Sequence, residues 1–305
     1  MRFPSSVLFF LFCLLISGRD VYTSALSKGS GPVFVLFFYC AGATLLSWLV
    51  YGLRTQTWNS VELFKRLSAA ARLRFLKLGV STLIVYAATV FGIYQLGTAV
   101  FASVDYGAMP VATLIADRII QRNRISRIQF LGTVVASAGI LIFFSGQFGA
   151  LLSLPNHRIW LGISLLSPAF TAYCTVLQKQ QVDAGMPPEE VLLFRFPIPA
   201  IAFFTCWGIE GFPHVLPDLP SRALITVFGV FLPLWLLCLA FVRSAVGTLA
   251  GFLFLIPVLT FALSLVFLPD QLKVILHPAV ILSAGLIVVG CCIFEGLFSK
   301  HASPA

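Results

Sequence analysis

The sequence predicts an all-α integral membrane protein of about ten transmembrane helices, arranged as two inverted five-helix repeats. Three observations carry that prediction. Of 305 residues, 59% are hydrophobic and only 10% charged, with a mean hydropathy of +0.99. Apolar runs of spanning length follow one another along the whole chain, separated by short breaks. The first half of the chain also matches the second. A soluble domain is about 25% charged, because polar side chains must meet water, and this chain has too few of them to cover such a surface.

Each span needs about 20 mostly apolar residues to cross roughly 30 Å of hydrocarbon. The runs are residues 4–24, 33–53, 78–96, 98–116, 128–145, 159–182, 191–209, 223–242, 247–268 and 278–297. Basic linkers, 54–77 and 117–127, follow the second and fourth. Residues 1–146 form the first repeat, 147–158 an external linker, 159–298 the second repeat and 299–305 a short tail. Arg2 followed by apolar residues through Ile16 also has the look of a secretory leader. The place for its cleavage site holds Ser17-Gly18-Arg19-Asp20, a poor match, so the run is read as a retained helix.

Charge sets the orientation. An even number of spans puts both termini on one side. With that side cytoplasmic, fourteen of the 20 Lys and Arg fall on inner linkers or tails. Lys28, Arg158, Arg222 and Lys273 fall outside, and Arg19 and Arg195 lie within or near spans. Cytoplasmic loops are the ones enriched in Lys and Arg, so both termini are expected inside, in a bacterial inner membrane or a plasma membrane. The net charge of +9 is then topology and anionic-lipid contact, not nucleic-acid binding, since no basic stripe accompanies a soluble fold. The seven Cys sit in apolar runs without ligand spacing and read as small buried side chains.

The internal match is specific. Gly29-x-x-Pro32-x-x-Val35-Leu36-x-Phe38 recurs 156 residues later as Gly185-x-x-Pro188-x-x-Val191-Leu192-x-Phe194. Pro110 pairs with Pro257, and Gly132 to Gly139 pairs with Ser283 to Gly290. Five spans per half is an odd number, so the second half is expected upside down relative to the first, with any substrate site near the midplane between them.

Ionisable side chains within a span are costly and mark candidate sites. Asp105 lies mid-run beside Tyr106, five residues before Pro110. Pro110 lacks an N–H and leaves the Tyr106 carbonyl unmatched, so helix and polar cavity are expected to open together there. Asp105 would bind a cationic substrate group or take up a coupling proton; the alternative is a carboxylate satisfied by neighbouring hydroxyls or an arginine. Arg19 and Asp20 are adjacent, and adjacent helical residues do not face one another, so they are not expected to form a simple mutual pair. One of the two would snorkel outward, with Asp20 the stronger candidate. Arg195 would bind an anionic group, mark the inner boundary, or partner Asp20 or Asp105. Pro110 and Pro257 are expected to bend their helices and to serve as a gate. Tyr39, Tyr86, Tyr94, Tyr173 and Trp235 offer aromatic cavity surface, with packing or an interfacial belt as the alternative.

The stretches GMPPEEVLLFRF (185–196), AMPVATLIADRII (108–120), QFLGTVVASAGILIF (129–143) and FLIPVLTFALSLVFL (254–268) carry a family likeness. With the ten-helix, two-half plan, the chain resembles the drug/metabolite transporter superfamily, specifically its EamA-type permeases, over nearly its whole length. It departs from that pattern after the fourth and ninth helices. Where the family usually has Glu, Asn123 stands at the first place and Asp270 approximates the second. Tyr39 replaces an expected first-half Arg, while Arg195 is kept.

The resemblance implies a secondary transporter that moves a small organic metabolite, such as an amino acid, by alternating access, with a tilt toward export. Its partners would be that substrate, membrane lipids and protons as coupling ion, in a monomer or homodimer. No GxxxxGK[ST], HExxH, CxxC or GxSxG stands out, and the four His are scattered, so neither an ATPase motor nor an enzyme, cofactor or metal centre is expected. A nucleotide-sugar or sugar-phosphate exchanger of the same superfamily would want Lys or Arg deep in the late helices, where only Arg243 and Lys273 stand at edges. A lipid-handling membrane protein would want the clustered acid or His residues that are missing.

Overall fold

Without water inside a bilayer, every backbone N–H must find its partner within the segment, and helices achieve this. The computed structural model describes residues 4–26, 31–96, 98–152, 155–211, 219–267 and 278–296, which form helices and turns with no strand. Lys28, Gly29, Asp270, Lys273 and the tail 299–305 lie outside the described residues. In chain order the helices are α1 (Ser5–Leu26), α2 (Pro32–Thr55), α3 (Ser60–Arg66), α4 (Ala69–Leu96), α5 (Thr98–Ala116), α6 (Arg127–Leu152) and α7 (Pro155–Asp183). They continue with α8 (Pro188–Arg195), α9 (Pro197–Ile209), α10 (Leu219–Ile225), α11 (Leu232–Phe241), α12 (Val246–Leu253), α13 (Leu255–Phe267) and α14 (Pro278–Gly296). Six stretches, Ser5–Thr23, Pro32–Thr55, Ala69–Leu96, Ile159–Asp183, Pro188–Ile209 and Pro220–Phe241, are long and apolar enough to cross a membrane.

Each apolar run falls on a helix or on consecutive helical pieces, but several boundaries shift. The basic linker 54–77 is not a plain loop. Asn59 caps α3 by accepting the Glu62 N–H at 3.0 Å, and α4 begins at Ala69, nine residues before the apolar run, because Ala and Arg are strong helix formers. The segment read as an external linker, 147–158, is helical up to Leu152 and again from Pro155.

Proline divides the later helices. Pro197 and Pro199 have no N–H for the carbonyls four residues back, and the helix is interrupted at Phe196 between α8 and α9. Pro233 does the same to Gly229, and residues Thr226–Phe231 form a π-segment joining α10 to α11. Pro257 leaves the Leu253 carbonyl, and Leu253 is the last residue of α12. The expected bend at Pro257 is therefore a break. At Pro110 no break occurs: α5 runs through it and ends in a π-turn, Asp117–Gln121.

Packing is exchanged between the two halves. α4 lies on α7 and α11 on α1; α5 lies on α7 and α13 on α1; α2 meets α8 and α9. The most extensive contact joins α6 to α14. There a Cβ added at Gly132 would stand 2.9 Å from the Gly290 carbonyl oxygen, one at Gly290 2.8 Å from that of Gly132, and one at Gly139 2.9 Å from that of Ser283. Small residues let backbones approach this closely. Gly132 aligns with Ser283 and Gly139 with Gly290 in the internal match, so the contact is reciprocal, each segment meeting its own counterpart.

Gly290→Val is therefore expected to destabilise the bundle by about 1–3 kcal/mol through overpacking, while Gly285→Ala, which meets nothing within 4 Å, should leave the thermal midpoint in detergent unchanged or raised. Equal midpoints for the two variants would refute the close seam.

Candidate functional site

The buried charges of the first half converge on α1. Asp20 is fully buried, and Arg19 donates to its Oδ1 through Nε at 2.8 Å and Nη2 at 2.7 Å. The same Nη2 donates to the Tyr106 hydroxyl at 3.2 Å, and that hydroxyl donates to Asp20 Oδ2. The guanidinium carbon lies 6.0 Å from the Tyr86 ring centre. The expectation that Arg19 and Asp20 would diverge, one snorkelling outward, is thus overturned. The two Cβ atoms do diverge around the helix, but the arginine stem is long enough to fold back, and Tyr106 of α5 closes the ring. Room for that stem comes from Gly229 in the π-segment, where a Cβ would stand 2.9 Å from both Cβ and Cγ of Arg19.

Asp105 is 2% exposed and neighbours Tyr106 on α5, yet its Oδ1 has no hydrogen-bond partner among the described residues and it makes no ion pair there. An isolated buried carboxylate is costly unless a proton, a cation or a ligand meets it. Arg195 does not supply the countercharge. Buried on α8, it donates to the Thr82 hydroxyl at 3.1 Å and to Gln178 Oε1. Gln178 is held in turn by donating to the Leu234 carbonyl at 3.3 Å. Arg195 is thus not a partner of Asp20 or Asp105. Tyr39, its match in the first half, bonds Thr23 of α1 at 2.9 Å, as Arg195 bonds Gln178 of α7.

These groups line one narrow cavity, with about 60 Å³ of room for water-sized groups. Arg19, Asp20, Tyr39, Asp105, Tyr106 and Arg195 all face it, together with Tyr86 and hydroxyls of α1, α4 and α7. Apolar residues of α11, α12 and α13 complete the wall, so helices of both halves enclose it. Trp235 is not among the lining residues; its half-buried ring packs on the core, and Leu234 reaches the cavity instead. Tyr94 and Tyr173 likewise pack outside it. Pro110 and Pro257 act from behind the wall: their freed carbonyls belong to the lining residues Tyr106 and Leu253.

Several polar positions are invisible as sites in the sequence. Arg222, which the charge count places outside, is 1% exposed, with its guanidinium 4.8 Å from the Phe34 ring centre. Glu189 is buried and ion-paired to Arg54, linking α2 to α8. Asp117, placed in a basic linker, is buried at the end of the bundle that carries those linkers. It accepts from Asn123 Nδ2 at 3.0 Å and from the backbone N–H of Gly247 in the first turn of α12. Burial nonetheless raises its carboxyl above the usual carboxylate range, against those two bonds and the field of Lys179. The one sequence signal for Asp117 is its spacing from Asn123, an amide six residues on that can turn back onto the carboxylate once the chain reverses at Arg122, whose φ is +61°.

No protein-family profile matches the chain, and no curated protein does. Among solved structures, 20 chains match. One, described only as "Crystal structure of protein", aligns with a TM-score of 0.74 at 16% identity, over 97% of this chain and 99% of that one. At that identity the likeness shows a shared fold from end to end, and nothing of function.

Gly229→Ala is expected to push Arg19 off Asp20 and to lower the thermal midpoint, by about 1–3 kcal/mol in stability, whereas Gly162→Ala, with open space around it, should be neutral. A neutral Gly229→Ala would show that Arg19 does not depend on that gap.

The raised carboxyl of Asp117 gives a pH prediction with a definite sign. Its neutral form favours the folded state, a contribution present below the unfolded value and lost as pH rises through the folded one. Asp117→Asn should therefore match or exceed wild-type stability at pH 7–8 (roughly neutral conditions, where the free carboxyl is ionised), with the gap closing on acidification. Thermal midpoints of both proteins across a pH series check this; a gap that widens toward acid contradicts it.

Proposed function

We propose that the chain is a ten-span permease of two inverted five-helix halves, similar to EamA-type drug/metabolite transporters, that exports a small organic metabolite such as an amino acid by alternating access. The observation that carries this is the cavity shared by both halves, in which one oxygen of a buried carboxylate, Asp105 Oδ1, has no hydrogen-bond partner among the described residues. The exchanged packing of α4 on α7 with α11 on α1, and the reciprocal α6–α14 seam, support the inverted-repeat plan. Both termini lie in the cytoplasm in this proposal, in a bacterial inner or plasma membrane, and the protein works as a monomer or homodimer.

The cavity's charges divide the work. Arg19 and Asp20 neutralise one another and brace Tyr106. Asp105 meets a cationic group of the substrate or a coupling cation, with a proton as the simplest occupant. Arg195, held by neutral partners, keeps its charge available to an anionic group. The interruptions at Phe196 and Phe254 and the π-segment give the second half places to flex.

A second assignment gains from Arg222. The sequence places no deep cation in the late helices; Arg222, at the edge of the eighth run, is buried beside Phe34, outside the cavity lining. A nucleotide-sugar or sugar-phosphate exchanger would use such charges.

An efflux screen in proteoliposomes, with amino acids and nucleotide sugars among the substrates, separates the two. Asp105→Asn is expected to lower efflux of the accepted substrate at least about tenfold and to flatten its pH dependence. Unchanged rate and pH dependence would remove Asp105 from the pathway.

A further inference from the structure

Behind Asp105 lies a strip of unmet oxygen atoms. Ser164, Ser167 and Thr171 fall on one face of α7, at a spacing of three and four residues, and α7 packs along α5. Ser167 lies within hydrogen-bonding reach of the Asp105 carboxylate. Asp105 Oδ1, Ser164 Oγ and Thr171 Oγ1 are nonetheless buried without hydrogen-bond partners among the described residues. Pro168, which has no N–H, adds the backbone carbonyl of Ser164 to the same turn. At Gly92 of α4 the place of the missing side chain is taken by the Phe101 ring, with Ser164 Oγ 3.1 Å from where a Cβ would stand.

Resting on the transport function proposed above, we infer that Asp105, with the Ser167 and Thr171 hydroxyls and the Ser164 carbonyl, binds a sodium ion that serves as the coupling ion. The donor set is all hard oxygen, the chemistry of alkali and alkaline-earth cations. One carboxylate balances one positive charge, because Asp20 is committed to Arg19 and Tyr106; this selects a monovalent ion. A proton on Asp105 would satisfy that group alone and leave the hydroxyls unmet, whereas an ion engages their lone pairs together. A substrate ammonium would reach Asp105 and Thr171, which line the cavity, but not the Ser167 and Ser164 oxygens behind them. Ser164 and Ser167 are fully buried and lie outside the cavity lining. Unwound backbone carbonyls are recurring sodium ligands in transporters built of repeats; here α7 stays helical through Pro168 and only the Ser164 carbonyl is released.

The test uses the full chain in nanodiscs, with radioactive sodium as the probe and choline chloride holding ionic strength constant. Wild type is expected to bind one sodium per chain, saturably. Ser167→Ala and Thr171→Val, small changes on helix faces, are each expected to weaken binding about tenfold, the loss of one hydrogen-bonding group to a charge, and Asp105→Asn to abolish it. Size-exclusion profiles confirm that the variants fold. Absence of saturable sodium binding in wild type overturns the site, as does unchanged affinity in both Ser167→Ala and Thr171→Val. In proteoliposomes, substrate flux at full rate without sodium on either side overturns the coupling while the transport function stands. Sodium binding without flux of any substrate class supports the site and removes the transport function.

Discussion

A guanidinium in hydrocarbon has nowhere to place its charge except on the protein, and Arg19 sets the terms for the helices around it. Its pairing with Asp20 consumes both oxygens of that carboxylate once Tyr106 joins. The same pairing fixes α1 to α5 and requires a glycine on the π-segment to let the arginine stem pass. With those groups spent on one another, Asp105 is left a buried acid without an ion pair among the described residues, its Oδ1 unbonded. The chemistry of the cavity follows from what Arg19 has already taken.

Proline then decides where backbone polarity surfaces. In water a lost helical bond is met by solvent, but in a bilayer it stays with the protein. Here the carbonyls released by Pro110 and Pro257 belong to Tyr106 and Leu253, both at the cavity wall. α1 answers the second of these breaks with side chains: Cys13 donates to the Phe252 carbonyl at 3.3 Å and Ser17 to that of Ile256 at 3.1 Å. A helix interrupted beside a cavity is tolerated because a neighbour supplies donors. The same logic accounts for the breaks in the second half, where Pro197, Pro233 and Pro257 each fall inside an apolar run.

The helical plan was legible because apolar run length and helix length obey the same bilayer thickness. The placement of Asp105, Asp20, Arg19, Arg195 and Tyr39 on a common cavity was legible too, since charge in a span has few reasons to be there. What sequence did not disclose was which charge meets which. Spacing rules describe Cβ directions, and Arg19 escapes them by reaching back with a long flexible stem. Arg222 reads as a loop charge because it stands at the edge of an apolar run, and only tertiary packing against Phe34 buries it. The hydroxyls of α7 gave no signal at all. A serine in a membrane helix is common, and three hydroxyls on one face become a feature only when an unpartnered carboxylate lies opposite them.

The seam between α6 and α14 has a mechanical meaning. Where side chains interlock, one set of rotamers can slip into another and two helices slide by a turn. Backbone lying on backbone at Gly132, Gly139 and Gly290 offers no such alternatives, because there is nothing to rotate. The two helices behave as a single double-stranded strut, and whatever change of shape the bundle undergoes has to be absorbed by the interrupted helices.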